Sequence, residues 1–200
     1  MQTTRSTTDG VMSQYGTFWA RVWAGFVDGL IFLPLSLSSS YFSSPERGMT
    51  TLLIWTVVSY SVIPIYSVTM HARTGQTIGK GVAGIRVMNV DEDRIPSLRQ
   101  AFLRDIGVII PGALAMFYTV YLIITHSYTI ETLTSGTFLE ILSYANGAWF
   151  LLEITTMFLN EKRRAFHDLI AGTVVVHTAY YPVTTGLGLN QSSQRPNDVP

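Results

Sequence analysis

Cysteine is absent from the 200 residues, which excludes disulfides, thiolate metal sites and thiol nucleophiles, and leaves the redox compartment unreadable. Charge is scarce, at 13% of residues against 48% hydrophobic ones, too little for an ordinary soluble domain. Neither sign is in excess, with 13 Lys and Arg and 13 Asp and Glu, so no net charge draws the chain toward nucleic acid. The first apolar run has no basic leader and carries an acid at its centre, which argues against a signal peptide. No internal repeat is visible, which weakens an inverted-repeat transporter within one chain. H-E-x-x-H and any Ser, His and Asp nucleophile set are missing too, so we expect no enzyme, no cofactor and no bound metal.

What the chain does have is long apolar runs, and its mean hydropathy is +0.29. They lie at about 18 to 40, 50 to 70, 104 to 125 and 143 to 159. The first three can cross a ~30 Å hydrocarbon core at 1.5 Å per residue, and the fourth is at the short end. The expected fold is an all-α membrane protein, a four-transmembrane-helix bundle over residues 17 to 181. Disordered polar tails are expected at 1 to 16 and 182 to 200. Arg73, Lys80, Arg86, Arg94, Arg99, Arg104, Lys162, Arg163 and Arg164 fall on one side, whereas the two opposite loops, including 126 to 146, hold only Arg47. The positive-inside rule then puts both termini in the cytoplasm of a multi-pass cell-membrane protein whose first partner is the lipid bilayer. Trp19 and Trp23 suit an aromatic belt at that face.

The cytoplasmic segments carry their own signals. Ile85 and Val87 alternate ahead of a polar turn at Asp91, Glu92 and Asp93, a pattern for a short hairpin, and Ser97 suits the N-cap of the helix that follows. A second β-like run, GTVVVHT at 172 to 178, predicts pairing with the first in a small cytoplasmic sheet. Within NEKRRAFHDLIAGT, Arg164, His167 and Asp168 share a charged face before Gly172, as in an interfacial C-terminal helix that stops at glycine. His167 and Asp168 are adjacent and point apart, so they make a poor metal pair.

Two acids sit where apolar residues are expected. In FWARVWAGFVDGLIFLPLS, Arg21, Gly25, Asp28 and Gly29 share one helix face, and a carboxylate at bilayer depth costs roughly 2.5 to 3.5 kcal/mol on insertion scales. Gly25 and Gly29 form a GxxxG step that suits a close helix contact, which aims Asp28 at protein or a wet cleft. There it either binds a cation or a proton, or ties helices together. Arg21 lies about 10 Å along the axis from Asp28, and is better placed to pair with Asp168 at the cytoplasmic surface. Glu153, followed by Thr155 and Thr156, is the second ion or proton candidate, against the plainer reading that it meets water or a basic loop. Pro34 and Pro111 either free carbonyls for an ion or simply kink their helices. Gly75, Gln76, Thr77, Gly79 and Lys80 form a glycine-rich elbow without the spacing of a phosphate loop, and Lys80 is expected at the lipid headgroups.

Three motifs in order, R-x-x-A-x-x-x-D at Arg21, Ala24 and Asp28, G-Q-T-x-G-K at 75 to 80 with G-I-R-V at 84 to 87, and H-D-x-x-A-G-T at 167 to 173, resemble those of the RDD family of small membrane proteins. The family is named for one arginine and two aspartates, which makes Asp168 the second aspartate. The resemblance implies buried charges in a membrane bundle, and some members are associated with Na+/H+ antiport. Two roles are therefore expected. One is a secondary transporter exchanging a monovalent cation for protons, helped by a homodimer or a larger membrane complex. The other is an adaptor whose charges only hold the packing.

Overall fold

The computed structural model describes residues 14–44, 46–125, 128–129 and 137–180. The expected tails therefore lie outside the described residues, apart from 14 to 16. Helix α1 (Phe18–Phe42) is followed by α2 (Met49–Thr74), a short α3 (Ile78–Val82), strand β1 (Ile85–Asn89), α4 (Leu98–Arg104) and α5 (Ile106–Ile124). After α6 (Thr137–Leu159) come α7 (Phe166–Ala171), β2 (Thr173–His177) and a closing 3-10 turn.

Helices α1, α2 and α5 are long and apolar enough to cross a membrane. The outer faces of α1 and α5 are unpartnered apolar surface, including Trp19, Trp23, Phe26 and Leu37 on α1 and Val108, Phe117 and Tyr121 on α5. Such a surface is tolerated in lipid, where the helical backbone satisfies its own polar groups. Helix α6 has 23 residues, but Glu140, Asn146 and Glu153 interrupt its apolar run.

Three boundaries depart from the sequence reading. The third run does not begin as one helix at 104, because the chain breaks at Asp105 between α4 and α5. The loop expected over 126 to 146 is shorter, since α6 starts at Thr137 and its first turns are tied by a Tyr144 hydroxyl donating to Glu140 at 3.0 Å. No local hairpin follows β1. Asn89 Oδ1 instead accepts from Asp93 N at 3.1 Å, folding residues 90 to 94 into a turn, and β1 finds its partner far along the chain.

That partner is β2, antiparallel, with Ile85 opposite His177 and Val87 opposite Val175. The ribbon is buried on both faces. Ile85, Val87 and Val175 pack with Ala24 of α1, while Met88, Val174 and Val176 pack with Tyr15. Local chemistry explains the ends of the neighbouring elements. Ser97 and Gln100 form a reciprocal capping box at the start of α4. Gly172, at φ +64, takes the left-handed conformation that closes α7. Gly75, at φ +71, does the same for α2, and a Cβ there would run into Val87 O.

Candidate functional site

Arg21, Asp28, Lys80, Arg104, Glu153 and Asp168 converge at one end of the bundle, where α3, α4, α7 and the ribbon close over α1, α2 and α6. Asp28, on α1, accepts three hydrogen bonds. Tyr66 OH donates to Oδ1 at 2.9 Å, Gly79 N to Oδ1 at 2.8 Å and Thr77 Oγ1 to Oδ2 at 2.6 Å. The G-Q-T-x-G-K segment thus lands on this carboxylate. Thr77 also accepts from Lys80 N as the N-cap of α3, and Tyr66 OH accepts from Ile78 N at 2.8 Å. Gly79 is required by closeness, since a Cβ would overlap Ala24 O and the Asp28 carboxylate. Gln76 Nε2 donates to Ile85 O at 2.9 Å and so joins the same segment to the ribbon.

Asp168 occupies a different kind of site and is 0% exposed. Arg21 Nη1 donates to its Oδ2 at 2.7 Å, and Arg104 Nη1 donates to its Oδ1. Thr173 Oγ1 and Ala165 N complete the shell at 3.0 and 3.2 Å. Arg21 is held in place by donating to Thr17 Oγ1 at 3.1 Å and Arg163 O at 3.3 Å. Burial works to raise the Asp168 carboxyl, but Arg104 and Arg21 together hold it well below the usual carboxylate range.

Glu153, on α6, accepts from Trp149 Nε1 at 2.5 Å and His167 Nδ1 at 2.7 Å. Burial holds His167 below its ordinary value, against the pull of the Asp168 and Glu153 carboxylates on either side of the ring. Thr155 and Thr156 do not join Glu153 in a cation site, because their hydroxyls donate back to Leu151 O and Leu152 O of their own helix. Asp28 and Glu153 line one cavity of about 400 Å³, but each spends its hydrogen bonds on different partners.

That cavity corrects two expectations. Gly25 and Gly29 do not seat a neighbouring helix; the space over both is open, and they form part of the cavity wall. Lys80 does not reach the headgroups. It turns inward until Nζ lies 2.5 Å from His71 Nε2. Pro34, Pro64 and Pro111 all stand inside helices, and none of them lines the cavity.

Sequence reasoning passed over Arg104, His71 and Tyr66 as site residues. Arg104 counted only toward orientation, although, like Arg21, it stands at the edge of an apolar run. His71 and Tyr66 carry no spacing signal, because their partners come from other elements. Among the described residues no group of three His, Asp or Glu is placed to hold a metal ion.

The arrangement can do two things chemically. It offers a space between apolar helices into which groups of both charge signs project, and it ties α3 and α7 to α1 through carboxylates. Comparison with known proteins gives the chain its relatives. The profile of the RDD family matches residues 15–172. A relative described as "Uncharacterized membrane protein YteJ", from Bacillus subtilis (strain 168), is 24% identical over 173 residues, covering 84% of each chain. No solved structure matches. With a family match spanning most of its length, the chain belongs to the RDD family of membrane proteins.

Proposed function

We propose that this protein is a secondary transporter that exchanges a monovalent cation for protons across the cell membrane through the cavity beside Asp28. The observation that carries the reading is that cavity of about 400 Å³, walled by Asp28, Glu153, Lys80 and His71 between apolar helices. Ionisable groups at membrane depth are costly and are retained mainly where they face a pathway or one another. Asp28 is the working carboxylate in this proposal. Its three donors are neutral, so a proton or a cation that takes its oxygens competes with Thr77, Tyr66 and Gly79 and loosens α3 at the mouth of the cavity.

A transporter needs a defined membrane topology, and we take α6 as the fourth span with both termini cytoplasmic. Pairing of β1 with β2 requires Asn89 and Thr173 to be on one side of the membrane. Between them α5 crosses once, so the chain has to return, and α6 is the helix of sufficient length. On the N-terminal side, Tyr15 OH donates to Glu92 at 2.5 Å across the α1 and α2 pair, which supports the same side for residue 15. A four-span chain is small for a two-sided gate, so we assign the working unit as a homodimer.

The test is cation-driven proton flux in proteoliposomes, with Na+, K+ and Li+ in turn, comparing wild type and Asp28→Asn at matched incorporation. Saturable flux lost in a folded variant supports the transporter. Absence of flux from well-folded wild type overturns it. The second reading, an adaptor, draws on the fact that the protein itself donates every Asp28 hydrogen bond described above. It predicts that Asp28→Asn lowers abundance in the membrane instead of flux.

A further inference from the structure

Lys80 is the cation of the cavity that no carboxylate engages within ion-pair distance among the described residues, whereas Arg21 and Arg104 both grip Asp168. Its ammonium nitrogen instead meets an imidazole nitrogen, His71 Nε2, at 2.5 Å. His71 is 1% exposed, and on its far side Nδ1 lies 3.3 Å from Ser67 Oγ. Three groups therefore stand in a row, Ser67, His71 and Lys80, with the last two both able to carry a proton.

We propose that Lys80 and His71 form a single proton-binding site that holds one proton beyond the neutral pair and never two. When the site is occupied, Lys80 is an ammonium donating to the Nε2 lone pair, which requires His71 to be neutral with its hydrogen on Nδ1. When the proton leaves, Lys80 becomes an amine whose lone pair accepts from Nε2–H, and His71 changes tautomer. Ser67 permits the change because a hydroxyl accepts from Nδ1–H in the first state and donates to Nδ1 in the second. A second proton would put two unshielded cations 2.5 Å apart beside Arg104, which burial forbids.

The surroundings set the affinity. On α1 stand Arg21 and Asp28, on α2 Tyr66, at the α4–α5 break Arg104 and Asp105, on α6 Glu153, and on α7 His167 with Asp168 behind it. Asp168 is taken by its two arginines, Asp28 by three neutral donors and Glu153 by Trp149 and His167. Asp105, whose Oδ2 is buried with no hydrogen-bond partner, is the acid that most favours the charged form, with Asp168 adding less. Burial and Arg104 outweigh it and push the Lys80 ammonium down to about 7, where occupancy changes with physiological pH.

The inference stands apart from any transport, and its readout uses no flux. The full chain, labelled at its histidine imidazole nitrogens and held in lipid nanodiscs, would be followed by NMR from about pH 5 to about pH 9, bracketing the histidine range. His71 is assigned by the signal lost in His71→Gln. The expected result is that the two His71 nitrogens exchange their protonated and unprotonated shifts with a midpoint near 7. In Lys80→Arg, which keeps a permanent charge, the Nδ1–H tautomer should persist at every pH. In Lys80→Met the exchange should vanish. A His71 that gains protons on both nitrogens, that shows no exchange over the range, or that still exchanges in Lys80→Arg overturns the proposal. Should Lys80→Met fail to fold, the arginine variant decides alone.

Discussion

Asp28 and Asp168 are the same side chain in two opposite settings. Asp168 is sealed, at 0% exposure, between guanidinium groups from two helices, with Arg104 leaving 4% and Arg21 13% of its side chain exposed. Asp28 borders a cavity and is held by a phenol, a threonine hydroxyl and a backbone amide, with no cation among its hydrogen-bond donors. A charge neutralised by fixed charges can hardly exchange partners, because any release strands three ions in a low-dielectric interior. A charge held by neutral dipoles is exchangeable, because a proton or a small cation replaces those donors without leaving an ion behind. One carboxylate thus suits a permanent clamp and the other a reversible latch.

The comparison makes its largest demand on Asp168→Asn. Removing one member of a buried ionic cluster leaves both arginines uncompensated and should cost about 3 to 5 kcal/mol of stability, read from unfolding of the purified protein in nanodiscs. Asp28→Asn loses charge but no counter-ion, so its cost should be about 1 to 3 kcal/mol. Equal losses from the two variants would sink the distinction between clamp and latch. Gly79→Ala should fall in the same smaller range, about 1 to 3 kcal/mol, by forcing α3 away from Ala24 O, and its loss should shrink in an Asp28→Asn background if the latch is already weakened.

Acid should act on the clamp. Because Asp168 titrates below its unfolded value of about 3.9, the unfolded chain binds the extra proton in the window between the two values, and stability rises with pH there. Its contribution is fully present above about pH 4 and is lost as the pH falls below that. Asp168→Asn should flatten this acid limb in thermal melts. The smallest effect belongs to Glu153→Gln, which keeps a carbonyl acceptor for Trp149 and His167 on a side chain 22% exposed and should cost about 1 kcal/mol or less. A much larger loss would mean that Glu153 belongs with the clamp.

Some of this arrangement is legible in the sequence, and the reasons are physical. Long apolar runs announce α1, α2 and α5 because a chain in lipid has few ways to satisfy its backbone. Ser97 announces the start of α4 because a cap is a local bargain between neighbours, and the ribbon shows itself in the alternation of Ile85 and Val87 and the run Val174 to Val176. Partners brought from distant elements leave no such mark. Nothing in the spacing joins Arg104 to Asp168 or His71 to Lys80, and a GxxxG step reads alike whether it faces a helix or, as Gly25 and Gly29 do, an open cavity. The start of α6 is obscured for another reason: Glu140 and Asn146 look like loop residues until Tyr144 and Leu142 O are seen to take up their polar groups within the helix.

The pairing of β1 with β2 also orders events during synthesis. β1 emerges early and keeps an open edge while α5 and α6 are made, since its partner is among the last described residues of the chain. Through that interval a strand with four of its five residues destined for burial, Ile85, Val87, Met88 and Asn89, has an unpaired edge open to other strands. A chain that stops before Thr173 cannot close that edge. Closure of the ribbon therefore joins the first half of the fold to the last, because β1 is covered only once Thr173–His177 has been made.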